Sequence, residues 1–146
     1  MESKALNYLS LARKAGKAEL GEEPVGGAAR AGKAYLILVS QDASDHTWRR
    51  AKSFAAGTEQ QVLRVKATKD ELGRSIGRES LAIAAITDAA LALALVKALE
   101  PSEATTQVIA VLEATAARLA KRAQEAKAHQ RNVRKGKKYS ALPIYS

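Results

Sequence analysis

The chain of 146 residues has room for one ordinary domain and an appendage, and its 24 basic against 15 acidic side chains give a formal net charge of +9. The absence of cysteine excludes a disulfide scaffold, a thiol nucleophile and a thiolate metal site. The presence of only two histidines argues against a zinc centre. The positive excess favours an anionic partner, nucleic acid before membrane.

The first part of the chain alternates between helical and strand patterns. Apolar residues at helical spacing predict a helix that ends near Gly16, and a short strand is expected at 18–20. Acidic residues and a proline within 21–24 are typical of the first turn of a second helix. Gly26 and Gly27 each destabilise this helix by about 1 kcal/mol relative to alanine, which suggests that another group approaches the helix closely there.

The alternation continues to about residue 99. The sequence predicts, in order, a strand at 35–39, a helix through 48–55, a strand at 61–65, a short helix opened by a capping box at 68–71, a strand at 81–86 and a helix from Asp88 to about Leu99. Helices and strands that alternate at this pitch, with short links, predict an α/β/α sandwich around a small sheet.

The last part of the chain is a basic extension. Residues 101–146 carry nine basic and three acidic side chains, whereas residues 1–100 carry 15 and 12. We therefore predict two pieces, 1–100 and 101–146, joined at Pro101. Apolar residues at helical spacing predict that the extension is one long helix that ends before Gly136. A merely solubilising tail is the alternative interpretation.

The sequence contains no recognisable arrangement of catalytic residues. Glu22 and Glu23 are adjacent, so on a helix they would point about 100° apart rather than converge on one substrate atom. The glycines around Arg74 and Arg78 lack the ending of a phosphate-binding loop, although the loop before the last strand could present backbone amides to phosphate. His46 is interpreted as a polar residue at a helix start. We expect no enzymatic activity, no cofactor and no bound metal.

Six short segments within residues 3–99 carry a family resemblance. They are LSLARKAG (9–16), LGEE (20–23), RAGK (30–33), LILVSQDAS (36–44), TKDELG (68–73) and IGR (76–78). In order and spacing they resemble the kink-turn RNA-binding ribosomal protein superfamily, and most of all its bacterial YlxQ-type branch. This resemblance implies a three-layer α/β/α sandwich with a mixed four-stranded sheet, and it implies RNA binding without catalysis.

The resemblance also implies where RNA would lie. In the superfamily RNA crosses the glycine-led start of the second helix and the loop before the last strand, which correspond here to 21–27 and 76–81. Strong kink-turn binders have the pattern Gly-x-Asn-Glu-x-x-Lys in the first segment. Here Glu23, Pro24 and Gly27 replace its asparagine, glutamate and lysine. These exchanges argue against specific readout of a kink-turn's base pairs, because they remove hydrogen-bonding groups and a positive charge.

The candidates for RNA contact fall into two groups. Those in the sandwich are Lys17, Gly21, Glu22, Glu23, Lys33, Ile76, Gly77, Arg78, Glu79 and Ser80. Those in the extension are Lys121, Arg122, Lys127, Arg131, Arg134, Lys135, Lys137 and Lys138.

Lys17 and Lys33 are expected to flank the RNA-facing edge of the sandwich. Glu22 and Glu23 are equally well explained as residues that cap a helix. The basic residues within 49–52 are interpreted as a solvated face, and Trp48 as an anchor in the core rather than a stacking platform for a base.

We therefore expect a cytoplasmic RNA-binding protein, monomeric off RNA and without membrane contact, that recognises structured RNA of ribosomal or kink-turn type in association with the ribosome. One alternative is an adaptor whose long basic helix binds a protein of the ribosome or the transcription machinery. Another is an accessory to RNA ribose methyltransferases, whose recognition domains resemble related sandwiches. The chain is too short to add a cofactor-binding catalytic domain.

Overall fold

The computed structural model describes residues 1–135, with side chains to residue 133. The helices are α1 (Ser3–Lys14), α2 (Glu22–Arg30), α3 (Asp45–Ala55), α4 (Lys69–Ser75), α5 (Ala89–Lys97) and α6 (Glu103–Lys135). The strands are β1 (Ala18–Leu20), β2 (Leu36–Val39), β3 (Gln61–Arg64) and β4 (Ile83–Ile86). Each helix and strand predicted from the sequence is present, and the ends differ by no more than a few residues.

The four strands form one mixed sheet in the order β1-β4-β2-β3. β4 runs antiparallel to both of its neighbours, β1 and β2, whereas β2 and β3 are parallel. Helices cover both faces of this sheet. The predicted three-layer α/β/α sandwich with a mixed four-stranded sheet is therefore confirmed.

Alternate residues of the central strand β2 face two separate apolar clusters, as the two-residue period of a strand requires. Leu36 and Leu38 belong to the first cluster, together with residues of α1, α4 and α5. Ile37 and Val39 belong to the second cluster, together with residues of α2 and α3. All four side chains are fully buried, as the continuous apolar run predicted.

Three helices begin with side-chain caps, and the sequence pattern indicated two of them, at Asp88 and in the capping box at 68–71. Ser44 and Asp88 each accept a hydrogen bond from the backbone amide three residues later, at 3.1 and 2.9 Å. Thr68 and Glu71 form a complete capping box, because each side chain accepts from the other residue's amide. Hydrogen bonds from the amide and the side chain of Thr68 favour the charged carboxylate of Glu71 and lower its pKa below the ordinary value.

The chain divides into two compact units, Met1–Glu113 and Ala114–Ser146. The first unit extends beyond the expected join at Pro101 because Val108 and Leu112, near the start of α6, are buried in the first apolar cluster. The first unit contains 15 basic and 14 acidic side chains, and the second contains nine and one. Nearly all of the net charge therefore belongs to the second unit.

Candidate functional site

The register of the strands defines two opposite ends of the sheet. At one end, which we call the Gly21 end, β1, β2 and β3 finish and β4 begins. At the other, which we call the Lys17 end, β1, β2 and β3 begin and β4 finishes. The two segments that the resemblance assigns to RNA contact, 21–27 and 76–81, meet at the Gly21 end. The amide of Gly21 donates to the carbonyl of Ile83 at 3.0 Å and so joins the start of α2 to the start of β4.

Gly21 precedes α2 in a backbone conformation that is essentially restricted to glycine, with φ 99° and ψ 163°. It has no side chain that could cap the helix, and Pro24 has no amide. Within the described residues, the amides of Glu22 and Glu23 donate no hydrogen bond. These two amides can therefore donate to an external acceptor such as a phosphate oxygen.

The side chain of Glu22 is paired with a cation from α3. The Nε atom of Arg50 lies 2.8 Å from Oε1 of Glu22, and Nε2 of His46 lies 3.7 Å from the same oxygen. The Arg50 guanidinium also lies over the ring of Phe54, 5.2 Å from its centroid. Arg50 remains exposed, as the interpretation of a solvated face expected, but no sequence pattern indicated that this residue pairs with the carboxylate of Glu22.

Helices α2 and α3 approach each other closely at Gly26. A Cβ atom at Gly26 would lie 3.1 Å from the ring of Phe54, which confirms the close approach predicted at this glycine. Gly27 is exposed, and a Cβ atom there would meet only the end of Arg30, at 3.9 Å, so no part of the described chain approaches this glycine closely.

The loop 76–82, between α4 and β4, is bound closely to α4. The amide of Arg78 donates to the carbonyl of Gly73 at 2.8 Å, and the amide of Leu81 donates to the carbonyl of Lys69 at 2.9 Å. A Cβ atom at Gly73 would lie only 2.7 Å from the amide nitrogen of Ser80, so the loop can lie this close only to a glycine. Sequence reasoning missed this role, although a glycine inside a short, well-capped helix was the available signal.

The predicted residues of this loop differ in exposure. Gly77, Arg78, Glu79 and Ser80 are exposed, and Gly77 has the positive φ of 75° that favours glycine. Within the described residues, the amides of Glu79 and Ser80 donate no hydrogen bond. Ile76 is only 3% exposed and belongs to the first apolar cluster, so its side chain lies in the core and is not available at the surface of the loop.

Asp42 links the loop after β2 to the start of α4. Its Oδ1 accepts from the amide of Lys69 at 2.9 Å, so it satisfies the first amide of α4. Partial desolvation by itself would raise the pKa of Asp42. The hydrogen bond from the Lys69 amide and the charge of Lys69 outweigh this effect and lower the pKa below its ordinary value.

Lys17 and Lys33 do not flank the Gly21 end, and that expectation was wrong. Lys17 immediately precedes β1, and its carbonyl accepts from the amide of Thr87, just after β4. Lys33 lies shortly before β2, whose first residue opposes the last residue of β4. Both lysines therefore lie at the Lys17 end, and Lys17 is about 13 Å from Gly21 along β1 at the usual rise of a strand.

Trp48 is half-buried against the second apolar cluster. The guanidinium of Arg64 lies 4.6 Å from its ring centroid, and the ammonium of Lys52 lies 5.4 Å away. These contacts favour a structural role over base stacking.

The basic candidates of the second unit lie mainly on α6. Lys121, Arg122, Lys127 and Arg131 are exposed. Arg134 and Lys135 are the final two residues of α6. Lys137 and Lys138 lie outside the described residues. No helix in residues 1–135, α6 included, combines the length and the apolar character needed to cross a membrane.

The family model that matches this chain covers the sandwich, in the first part of the sequence. A family model described as the ribosomal protein L7Ae/L30e/S12e/Gadd45 family matches residues 3–96. The solved structure of a protein with unknown function from Bacillus halodurans is similar at 30% identity and a TM-score of 0.62, over 66% of this chain and 97% of that chain. The Giardia lamblia 15.5kD RNA binding protein is similar in fold at 17% identity and a TM-score of 0.58, over 74% of this chain and 87% of that chain. The search of curated proteins found no match.

Proposed function

Because the chain belongs to the ribosomal protein L7Ae/L30e/S12e/Gadd45 family, we propose that it is a non-enzymatic protein that binds structured RNA. The observation that carries this proposal is the meeting of the α2 start and the loop 76–82 at the Gly21 end, joined by the hydrogen bond between Gly21 and Ile83. These are the two segments that the family resemblance assigns to RNA. The Giardia lamblia protein of similar fold is itself described as RNA-binding.

In this proposal the Gly21 end recognises the shape of the RNA more than its base edges. Unpaired amides at the start of α2 and in the loop 76–82 donate to phosphate or base oxygens, and exposed Arg78 adds a positive charge. Pro24 and Gly27 replace two side chains of the kink-turn pattern. We therefore expect an affinity for kink-turn RNA below that of the strong kink-turn binders.

The second unit contributes attraction that does not depend on sequence. Its nine basic side chains face one acidic side chain. If about six of these charges meet phosphates, the logarithm of the affinity should fall with the logarithm of salt concentration with a slope of about −4 to −5. The proposed ligand is a structured RNA of ribosomal or kink-turn type, bound by a monomer in the cytoplasm in association with the ribosome.

Binding of the full chain to three RNAs tests the proposal. The three are a kink-turn hairpin, the same hairpin with its sheared pairs replaced by Watson–Crick pairs, and a plain duplex of equal length, each titrated over a range of salt. Tighter binding to either hairpin than to the duplex supports recognition of structured RNA, and a preference for the first hairpin identifies the kink-turn. Equally weak binding to all three would overturn the proposal and favour the adaptor, whose basic helix binds a protein.

A further inference from the structure

Two identical turns place lysines at the Lys17 end. α1 and α2 are each followed by a glycine of positive φ, Gly16 at 71° and Gly32 at 72°, and each glycine is followed by a lysine, Lys17 or Lys33. In both turns the lysine amide donates to the carbonyl five residues earlier, at 2.7 and 2.9 Å, and the glycine amide donates to the carbonyl three residues earlier, at 3.1 and 3.0 Å. This helix ending leads the chain from each lysine toward a strand, β1 or β2, and both strands are neighbours of β4.

Further hydrogen bonds fix the backbone around both lysines. The amide of Thr87 donates to the carbonyl of Lys17 at 2.8 Å. The turn that carries Lys33 is held by Gln60, which is only 7% exposed. Gln60 Oε1 accepts from the amide of Ala34 at 2.8 Å, and its Nε2 donates to the carbonyl of Ala29 at 3.3 Å. Both lysines therefore extend from backbone that needs little ordering when a ligand binds.

Five exposed basic side chains lie at the Lys17 end, on or after the helices of both faces of the sheet, and we call these five together the Lys17 surface. Its members are the exposed side chains of Arg13, Lys14, Lys17, Arg30 and Lys33, at or just after the last turns of α1 and α2. None of the five forms an ion pair with another described residue.

Few acidic residues lie near this surface. Glu19 is half-buried on β1, Glu59 lies just before β3, and Asp88 caps α5. At the Gly21 end, by contrast, Arg50 is paired with Glu22. The Lys17 surface therefore offers unpaired cations.

We propose that the Lys17 surface is a second RNA contact, which binds phosphates of a backbone segment distinct from the segment at the Gly21 end. The inference rests on the proposed function, since it concerns the same RNA. Ammonium and guanidinium groups are suited to phosphate, and this surface therefore contributes affinity and orientation rather than base readout.

The positions of the two contacts define the kind of RNA. They lie at opposite ends of the same sheet, with Lys17 before β1 and Gly21 after it. A single short strand laid over the Gly21 end leaves the Lys17 surface uncovered. The fitting partner is a folded RNA that presents two backbone segments, such as the two helical arms of a bent RNA.

Charge substitution in the full chain tests the second contact. The variant Lys17→Gln/Lys33→Gln removes two charges from the Lys17 surface, and the control Lys4→Gln/Arg49→Gln removes two exposed charges elsewhere. The probe is a kink-turn RNA with two long helical arms. We expect weaker binding and a salt slope about 2 units shallower in the first variant, or about one unit for each lost phosphate contact, and a smaller change in the control.

The outcomes separate the two proposals. If the unsubstituted chain binds this RNA and the Lys17→Gln/Lys33→Gln variant has the same affinity and salt slope as the control, the second contact is wrong and the proposed function stands. If the unsubstituted chain shows no more affinity for this RNA than for a plain duplex, both proposals fail.

Cleavage from tethered probes locates the two contacts directly. Since the chain has no cysteine, the exposed positions Ala31 and Gln41 can each be changed to cysteine and labelled with an iron chelate that cleaves nearby RNA. Ala31 lies at the Lys17 end and Gln41 at the Gly21 end. We expect cleavage in two separate backbone segments. Cleavage of the same nucleotides from both positions would overturn the inference.

Discussion

Oε1 of Glu22 and Nε of Arg50 lie 2.8 Å apart, so the first turn of α2 receives its counter-ion from α3. The carboxylate that would repel phosphate at the Gly21 end is thereby partly neutralised. Both side chains remain substantially exposed, at 36% for Glu22 and 45% for Arg50. The pair is therefore expected to influence the electrostatics of binding more than the stability of the fold.

Substitution of the two partners should change RNA affinity in opposite directions. Arg50→Gln leaves an unpaired carboxylate and should weaken binding, whereas Glu22→Gln removes the carboxylate, releases Arg50 and should strengthen it. The free energy of unfolding should change by no more than about 1 kcal/mol in either variant, because exposed ion pairs contribute little. Arg49→Gln, on the same helix, is the matched control for lost charge. Filter binding and urea unfolding provide the measurements, and a shift in the same direction for both partners would contradict the prediction.

The contact between Gly73 and the loop 76–82 should make this position intolerant of alanine. Gly73→Ala brings a Cβ atom to within 2.7 Å of the Ser80 amide nitrogen. We expect a loss of about 1–3 kcal/mol in unfolding free energy from overpacking, with faster hydrogen exchange at the Arg78 and Leu81 amides and weaker RNA binding. Gly27→Ala is the control for stability, and at this exposed helical position it should stabilise by up to about 1 kcal/mol. Equal stability of Gly73→Ala and the unsubstituted chain would show that the loop moves away easily.

The point of truncation should decide whether the sandwich remains stable. A chain that ends after Glu113 keeps Val108 and Leu112 in the first apolar cluster, whereas one that ends after Leu99 loses both. Full burial of such a side chain is worth about 1.5–3 kcal/mol, so the shorter chain should have the lower midpoint in urea unfolding. Both truncated chains should show a shallower salt slope for RNA binding than the full chain, since they lack the basic second unit. Equal midpoints would show that the start of α6 contributes nothing to the sandwich.

Acid should destabilise the sandwich through Asp42 and Glu71. Their ordinary pKa values are 3.8 and 4.5, and both are lowered in the folded chain. A lowered pKa means that the folded state favours the charged carboxylate, so this stabilisation is present above the ordinary pKa values and is lost as the pH falls through the lowered ones. Unfolding free energies measured from about pH 6 to about pH 3 should fall less steeply for the Asp42→Asn/Glu71→Gln double variant. Parallel profiles would show that these carboxylates do not contribute.

Most of the helices and strands could be predicted from the sequence because their signals are local. The apolar run at 36–39 and the capping box of Thr68 and Glu71 each lie within a few consecutive residues, and the structure contains both as expected. The boundary between the two parts of the chain was less predictable, because it depends on tertiary contacts. The first compact unit extends past Pro101 because Val108 and Leu112 find room in the core, and no local pattern states how much of an amphipathic helix will be buried.

The segments that form the candidate site could be predicted from the sequence, but the positions of individual residues around it could not. The resemblance indicated 21–27 and 76–81, and the hydrogen bond from Gly21 to Ile83 joins their two elements. Sequence reasoning placed Lys17 and Lys33 beside these segments, because proximity along the chain says little about the end of a strand at which a residue lies. It expected Arg50 to be exposed, as it is, but could not foresee its ion pair with Glu22, which depends on the packing of two helices.

The sequence by itself determined the order of the helices and strands, the family, and the concentration of positive charge after Pro101, because periodicity, capping residues and composition are properties of short stretches of chain. Only the tertiary structure decided which of these residues and elements lie close together in space. The antiparallel pairing of β1 with β4 puts Gly21 beside the last strand and Lys17 at the opposite end of the sheet. The packing of α2 on α3 brings Arg50 to Glu22, and the return of the loop 76–82 onto α4 requires Gly73. Such relationships depend on strand order and helix packing between residues distant in sequence, which no local pattern contains.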